Sequence, residues 1–192
     1  MNTRKENMTE EQLQKAWQAL FDGQYHLAKQ LVYQIDQDSY STLNLKAYIA
    51  LEEKDFALAR QFLKDYYAQA VSEKNLEEQH IGLHQLAMVE REEEHFQKAY
   101  ELIMTEAAII IEHFPDDVLK KSVNLYEQGY LQFKLENIHL AEELLQETLN
   151  LALQTDDLVN HACAYRALAE VMLAKRDIKR AKLHAQKALA CF

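Results

Sequence analysis

The chain has 192 residues, of which only three are glycine and one is proline, while 48% are hydrophobic. Sandwiches and barrels of β-strands draw on Gly and Pro for their tight turns, and disordered chains are poor in hydrophobic residues, so both classes are excluded. With 21 Lys and Arg against 31 Asp and Glu, the net charge is −10, which disfavours nucleic-acid binding because phosphates require a basic face.

The sequence also indicates the compartment. No stretch approaches the ~20 consecutive apolar residues of a membrane-spanning helix. The N-terminal segment 1–7 carries charge but is not followed by the apolar run of a signal peptide. Cys163 and Cys191 lie far apart in the sequence, and without an export signal we expect two free thiols. These observations predict a cytoplasmic protein that does not bind membranes.

One three-residue pattern recurs five times along the chain. In each copy a small residue is followed nine positions later by an aromatic residue or Ile, and three positions after that by Ala. The copies are Ala16/Tyr25/Ala28, Ala47/Phe56/Ala59, Ala87/Phe96/Ala99, Gly129/Ile138/Ala141 and Ala169/Ile178/Ala181. Two helices that fold into a hairpin need small residues where they cross. Each copy therefore predicts one helix-turn-helix unit.

The five units predict ten helices. In chain order these are residues 8–21 and 24–36, 40–53 and 56–72, 76–92 and 96–113, 117–135 and 138–154, and 157–175 and 178–191. Asp38-Ser39 and Thr155-Asp156-Asp157 supply candidate N-caps, and Pro115 marks a linker between units. Only the first turn within a unit contains glycine, Gly23, so mostly right-handed turns are expected. Gly82 falls inside a predicted helix, where a kink or a close approach would explain it.

The unit resembles the tetratricopeptide repeat (TPR), a helix-turn-helix module that stacks into a right-handed superhelix. The last unit resembles it most, at Tyr165, Leu168, Ala169, Ile178, Ala181, Ala188 and Leu189. The resemblance covers roughly residues 8–191 and implies an all-α solenoid. We therefore expect residues 1–192 to form a single TPR-like domain with units at about 8–36, 40–72, 76–113, 117–154 and 157–191.

The spacing of the later units, near 40 residues, indicates long helices. In this respect the chain resembles the peptide-sensing domains of Gram-positive regulators of the Rap and PlcR types. No room for a DNA-binding helix-turn-helix precedes residue 8, so direct control of transcription is not expected. A peptide-pheromone sensor remains a hypothesis by analogy.

Motifs that would indicate catalysis are missing from the sequence. It has no phosphate-binding Gly-rich loop, no Gly-x-Ser-x-Gly and no Cys-x-x-Cys, so we predict no enzyme and no cofactor. His80 and His84 are four residues apart and would share one helix face, as in a two-histidine metal site. Position 81 is Ile instead of the Glu of His-Glu-x-x-His, which favours a polar surface over a metal site.

In TPR arrays the first helix of each unit lines the concave face, where ligands usually bind. The register of the crossing residues predicts that this groove holds Trp17, Tyr48, His84, Met88, Arg91, Tyr126, Tyr130, Phe133, Lys134 and Arg166. Aromatic residues are typical binding anchors, and the basic residues suit a peptide carboxylate. The alternative is that neighbouring helices bury Trp17 and Tyr48. The predicted function is a scaffold or receptor that binds a protein segment or peptide.

The ends of the array give the alternative function. A repeat array exposes an apolar face at each end unless a polar helix caps it. The row Ala181, Ala185 and Ala188 suits close helix packing, and no later helix is predicted to cover it. Either this end is tolerated as a small apolar patch, or it docks against another copy. The alternative function is therefore a structural subunit that self-associates or assembles through the ends of the array, hypothetically as a homodimer through its C-terminal helices.

Overall fold

The computed structural model describes the backbone of residues 2–192 and the side chains from Glu10 onward. Over residues 2–192, ten α-helices follow one another: α1 Asn2–Phe21, α2 Tyr25–Val32, α3 Tyr40–Glu52, α4 Phe56–Ser72, α5 Leu76–Glu92, α6 Phe96–His113, α7 Val118–Lys134, α8 Ile138–Ala152, α9 Leu158–Ala174 and α10 Ile178–Leu189. Residues 2–192 contain no strand, which confirms the all-α class. None of the helices described is long and apolar enough to cross a bilayer.

From residue 40 onward, each predicted helix boundary lies within two residues of the observed one. The first unit differs. Helix α1 begins at Asn2 instead of residue 8, because nothing in the charged segment before residue 8 breaks a helix, and α2 ends at Val32 instead of residue 36. Ser39 forms a capping box with Thr42 at the start of α3, so the polar segment before it is a loop. Asp157 caps α9 by accepting the Asn160 amide at 2.9 Å, as predicted.

The chain divides into two compact units, Met1–Val89 and Glu90–Phe192. In the first, Ala16, Ala28, Val32, Leu45 and Ile49 form a core shared by α1, α2 and α3. In the second, Leu145, Leu149, Leu168, Val171 and Met172 belong to a larger core shared by α7 to α10. All ten predicted crossing residues except Ala169 are buried, which confirms the repeat register. The expectation of a single domain over residues 1–192 stays a prediction.

Each turn within a unit holds one residue in the left-handed backbone conformation, so the expectation of mostly right-handed turns is wrong. Positive φ angles occur at Gly23 (71°), Lys54 (59°), Glu94 (62°), Glu136 (65°) and Arg176 (61°). In the last unit the Asp177 amide donates to the Met172 carbonyl, and the Arg176 amide donates to that of Leu173, each at 2.9 Å. These two bonds form a Schellman motif, which holds one residue in the left-handed region even where that residue is not glycine.

We expect Glu136→Gly to raise the free energy of unfolding by about 0.5–1 kcal/mol, because glycine adopts positive φ without the steric cost that an L-residue bears. Glu136→Ala should give no such gain, since it keeps the strained backbone. The reverse change, Gly23→Ala, should destabilise by a similar amount, since an added Cβ meets no atom within 4 Å and only the backbone suffers. Urea denaturation followed by circular dichroism measures all three. A loss of stability in Glu136→Gly would contradict this explanation.

Candidate functional site

An aromatic row lies along α7 in the second unit. Tyr126 and Tyr130 are one helical turn apart, and their rings stack with centroids 6.1 Å apart and planes inclined at 16°. Lys134 continues the row, with its Nζ 5.2 Å from the Tyr130 ring centroid. The Arg91 guanidinium carbon lies 5.4 Å from the same centroid. The Tyr130 ring therefore contacts two cations, a favourable arrangement because the face of the ring carries partial negative charge.

Arg166 connects α9 to this row. Its Nη2 donates a hydrogen bond to Tyr126 Oη at 3.0 Å, while its Nε lies 3.9 Å from Glu170 Oε1. The Arg166 side chain is 60% exposed, so its charge faces solvent. Tyr126 itself is buried, and this burial raises the pKa of its phenol to about 12. The phenol therefore stays protonated at neutral pH and is a fixed anchor for the guanidinium.

Arg91 is held differently from the other two cations. Its Nη1 lies 2.7 Å from both carboxylate oxygens of Glu127, and the two side chains are only 17% and 8% exposed. This buried ion pair neutralises the charge of Arg91. Lys134 and Arg166 are thus the cations of the row that remain exposed to a ligand. Phe133, also predicted for the groove, packs partly against the core of α7 to α10.

In the first unit, Trp17 and Tyr48 form a second aromatic pair. Their rings meet edge to face with centroids 5.9 Å apart. The Trp17 indole N–H donates to Ser41 Oγ at 2.9 Å, and the Gln85 amide donates to Tyr48 Oη at 3.1 Å. Both rings are half-buried. Each ring is fixed by a polar partner and still presents part of its surface to solvent.

The remaining predicted residues, His84 and Met88, lie on α5 and are both half-buried. The structure thus brings Trp17 and Tyr48 together in the first unit, and it brings Arg91, Tyr126, Tyr130, Lys134 and Arg166 together in the second. Whether all ten predicted residues share one groove stays a prediction.

Sequence reasoning missed three buried carboxylates in the second unit, which belong to Glu90, Glu106 and Glu127. Glu90 Oε2 lies 3.0 Å from His95 Nδ1, and its Oε1 lies 2.7 Å from Lys98 Nζ. Glu106 Oε2 accepts a hydrogen bond from Asn124 Nδ2 at 2.9 Å. No motif marks any of the three carboxylates, because each acquires its partners only through folding.

Glu90, Glu93 and His95 each place one ligand atom within 4.8 Å of the others, close enough for a metal ion. Lys98 already supplies a positive charge to Glu90, so ion pairing accounts for this arrangement without a metal. Over the side chains described, from Glu10 onward, no comparable group includes His80 or His84.

No protein-family model and no curated protein sequence matches this chain. Solved structures do match. The tetratricopeptide-repeat sensor protein of the STAND signal-transduction ATPase class from Pyrococcus horikoshii aligns with a TM-score of 0.78 at 17% identity, over 97% of this chain and 30% of that one. BtubC from P. vanneervenii aligns with a TM-score of 0.73 at 13% identity, over 92% and 76% of the two chains.

Aspartyl phosphate phosphatase F from Bacillus subtilis, a Rap-type protein, also aligns with a TM-score of 0.73. The identity is 11%, and the alignment covers 96% of this chain and 60% of that one. At these identities the likeness establishes the fold. The chain therefore has the tetratricopeptide-repeat fold, which it shares with the Rap-type phosphatase among others.

Proposed function

We propose that this chain is a non-enzymatic, cytoplasmic scaffold that binds a protein segment or peptide along the first helices of its repeats. The observation that supports this proposal is the row of Tyr126, Tyr130 and Lys134, together with Arg166. Stacked tyrosines offer a large contact area at a low cost in side-chain entropy. Such rigid aromatic anchors carry much of the binding free energy at protein interfaces.

The charges around the row favour a particular kind of ligand. Arg91 is neutralised by Glu127, so a ligand carboxylate would meet Lys134 and Arg166. The chain as a whole carries −10, and this net charge repels a strongly acidic ligand at long range. The ligand that fits is therefore a largely apolar or aromatic segment with one or two carboxylates. Neither a cofactor, a metal nor a nucleic acid forms part of this proposal.

The test begins with peptides selected on the wild-type chain from a phage-displayed library. Their affinities are then measured by fluorescence anisotropy for Tyr130→Ala and for Lys134→Glu with Arg166→Glu. We expect Tyr130→Ala to weaken binding about tenfold, as truncation of an interfacial aromatic anchor does. The charge reversals should weaken the binding of only those peptides that carry a carboxylate.

The matched control is Tyr100→Ala, which removes a half-buried tyrosine from α6, the second helix of its unit. It should leave affinity unchanged. If the selected peptides bind Tyr130→Ala as tightly as wild type, the aromatic row is not the ligand site and the proposal fails.

A second candidate function is assembly through the ends of the array. It is favoured by the exposed side chains of Leu183, Leu189 and Phe192 on and after α10. A homodimer through the C-terminal helices would cover them. Residues 158–192, however, hold seven Lys and Arg against two Asp and Glu. A symmetric dimer would bring these like charges together, so raising the salt concentration should strengthen it.

A further inference from the structure

The outer surface of the α9–α10 hairpin carries an open apolar groove of about 670 Å³. Alanines from both helices line its floor, among them Ala169, Ala181 and Ala185. Leu189 and Phe192 lie at its rim and are 77% and 91% exposed. The groove shares Arg166 with the aromatic row of α7 but contains none of Tyr126, Tyr130 and Lys134.

The repeat shows what this surface corresponds to. The fourth and fifth units are offset by 40 residues, so each groove residue of α9 or α10 has a counterpart 40 positions earlier in α7 or α8. Leu189 corresponds to Leu149, which is 5% exposed, and Ala185 corresponds to Leu145, which is fully buried. The same positions are therefore covered in the fourth unit and open in the fifth.

In the fourth unit, a helix covers these positions. Helix α9 packs on both α7 and α8, and its Leu168 and Val171 share one core cluster with Leu145 and Leu149. A groove built on the same positions accepts a helix with a similar apolar stripe. Ala185 replaces the larger Leu145, so the occupant of the outer groove has room for bulkier side chains than those of α9.

The charge at this joint is reversed between the two units. In the fourth unit Glu142 forms ion pairs with Lys175, and with Arg180 at 3.3 Å, both of which belong to the fifth unit. The residue that corresponds to Glu142 in the fifth unit is Lys182, which lines the groove. Among the side chains described, Lys182 has no carboxylate within ion-pair distance. A helix that docks here as α9 docks on the fourth unit would place its C-terminal end beside Lys182. Acidic residues at that end would therefore pair with Lys182.

We propose that the outer groove of α9–α10 binds an amphipathic helix of a partner protein, with an apolar stripe and carboxylates at its C-terminal end. The helix docks on this hairpin as α9 docks on the preceding one. A second copy of this chain is a poorer occupant, because its own α9–α10 hairpin is basic and would place cations against Lys182.

Two matched peptides test this proposal. The acidic peptide has the sequence of residues 157–176 with Cys163→Ala, Lys175→Glu and Arg176→Glu, and the basic peptide keeps Lys175 and Arg176. Binding of each labelled peptide to the full chain is measured by fluorescence anisotropy at low and at high salt. We expect the acidic peptide to bind about tenfold more tightly at low salt, with the difference shrinking as salt screens the charges.

Two variants locate the binding. Ala185→Phe fills the groove at an exposed position and should weaken the binding of both peptides about tenfold. Lys182→Glu restores the charge of the fourth unit and should reverse the preference in favour of the basic peptide. Ala57→Phe and Lys64→Glu, at exposed positions of α4, are the matched controls and should change nothing. Thermal unfolding of each variant verifies that it is folded.

Other outcomes overturn the proposal. Equal binding of the two peptides, binding of neither, or insensitivity to Ala185→Phe would each reject the acidic helix as occupant. A dimer in sedimentation equilibrium that Ala185→Phe abolishes would identify a second copy as the occupant instead. Tyr130→Ala should leave binding of the acidic peptide unchanged, so failure here is distinguishable from failure of the peptide site on α7.

Discussion

Replacing Arg91 with Met is expected to lower the free energy of unfolding by about 2–3 kcal/mol, because it leaves the Glu127 carboxylate buried without its counter-ion. Glu127 is only 8% exposed and both of its oxygens accept from Arg91 Nη1 at 2.7 Å. Urea denaturation followed by circular dichroism gives the loss. Met retains the apolar stem that packs near Tyr130, so the loss reports mainly on the charge.

Two further variants separate the charge effect from packing. The double variant Arg91→Met with Glu127→Leu removes both charges and should recover most of the lost stability. Arg166→Met removes a guanidinium that is 60% exposed and should cost less than about 1 kcal/mol. If Arg91→Met proves as mild as Arg166→Met, water screens the pair and Glu127 does not depend on Arg91.

We expect Gly129→Val to destabilise the protein by about 3 kcal/mol through overpacking where α7 crosses α8. A Cβ built at Gly129 would lie 2.7 Å from Leu145 Cγ and 3.2 Å from Leu144 Cβ. Neither atom is the flexible end of a side chain, so the helices must move apart. Gly129→Ala should cost less, since the better helix propensity of alanine offsets about 1 kcal/mol of the clash. Urea denaturation measures both.

Gly82→Ala is the matched control for this crossing. Its Cβ would lie 3.1 Å from Tyr66 Cδ1 and 3.3 Å from Tyr67 Cβ, which is tight but not prohibitive. The gain in helix propensity should roughly cancel that strain, for a net change within about 1 kcal/mol. The contacts also show that a close approach to α4 explains this mid-helix glycine. An equal loss of stability in Gly82→Ala and Gly129→Ala would mean that the distance between the crossing helices does not set the cost.

The repeated triplet predicted the helix pairs well, because crossing residues depend on local spacing. Gly129 and Ala141 were placed at the crossing by sequence alone, and the structure confirms both positions as buried. Non-glycine residues take the left-handed conformation at four turns within the units and, as Lys74, at the turn between α4 and α5, and this escaped prediction. Charged residues such as Lys54 and Glu136 carry no signal of positive φ, and the Schellman hydrogen bonds impose it on them.

The candidate site was less predictable than the fold. The register placed Tyr126, Tyr130 and Lys134 on one face of a helix, as i, i+4, i+8 spacing requires. It could not show that Glu127 neutralises Arg91, because the two residues are 36 positions apart and meet only through tertiary packing. The change from Glu142 to Lys182, by contrast, is visible once the repeats are aligned at an offset of 40.

That change limits how the array can grow. Repeat proteins lengthen by duplicating a unit, because the outer face of each unit matches the inner face of the next. A duplicate of the α9–α10 hairpin placed after the original would carry the counterparts of Lys175 and Arg180 toward Lys182. Cation would face cation, so the duplicate would stack poorly unless Lys182 first became acidic. A single side chain thus decides whether an identical hairpin can stack here, and repeat engineering would have to change it first.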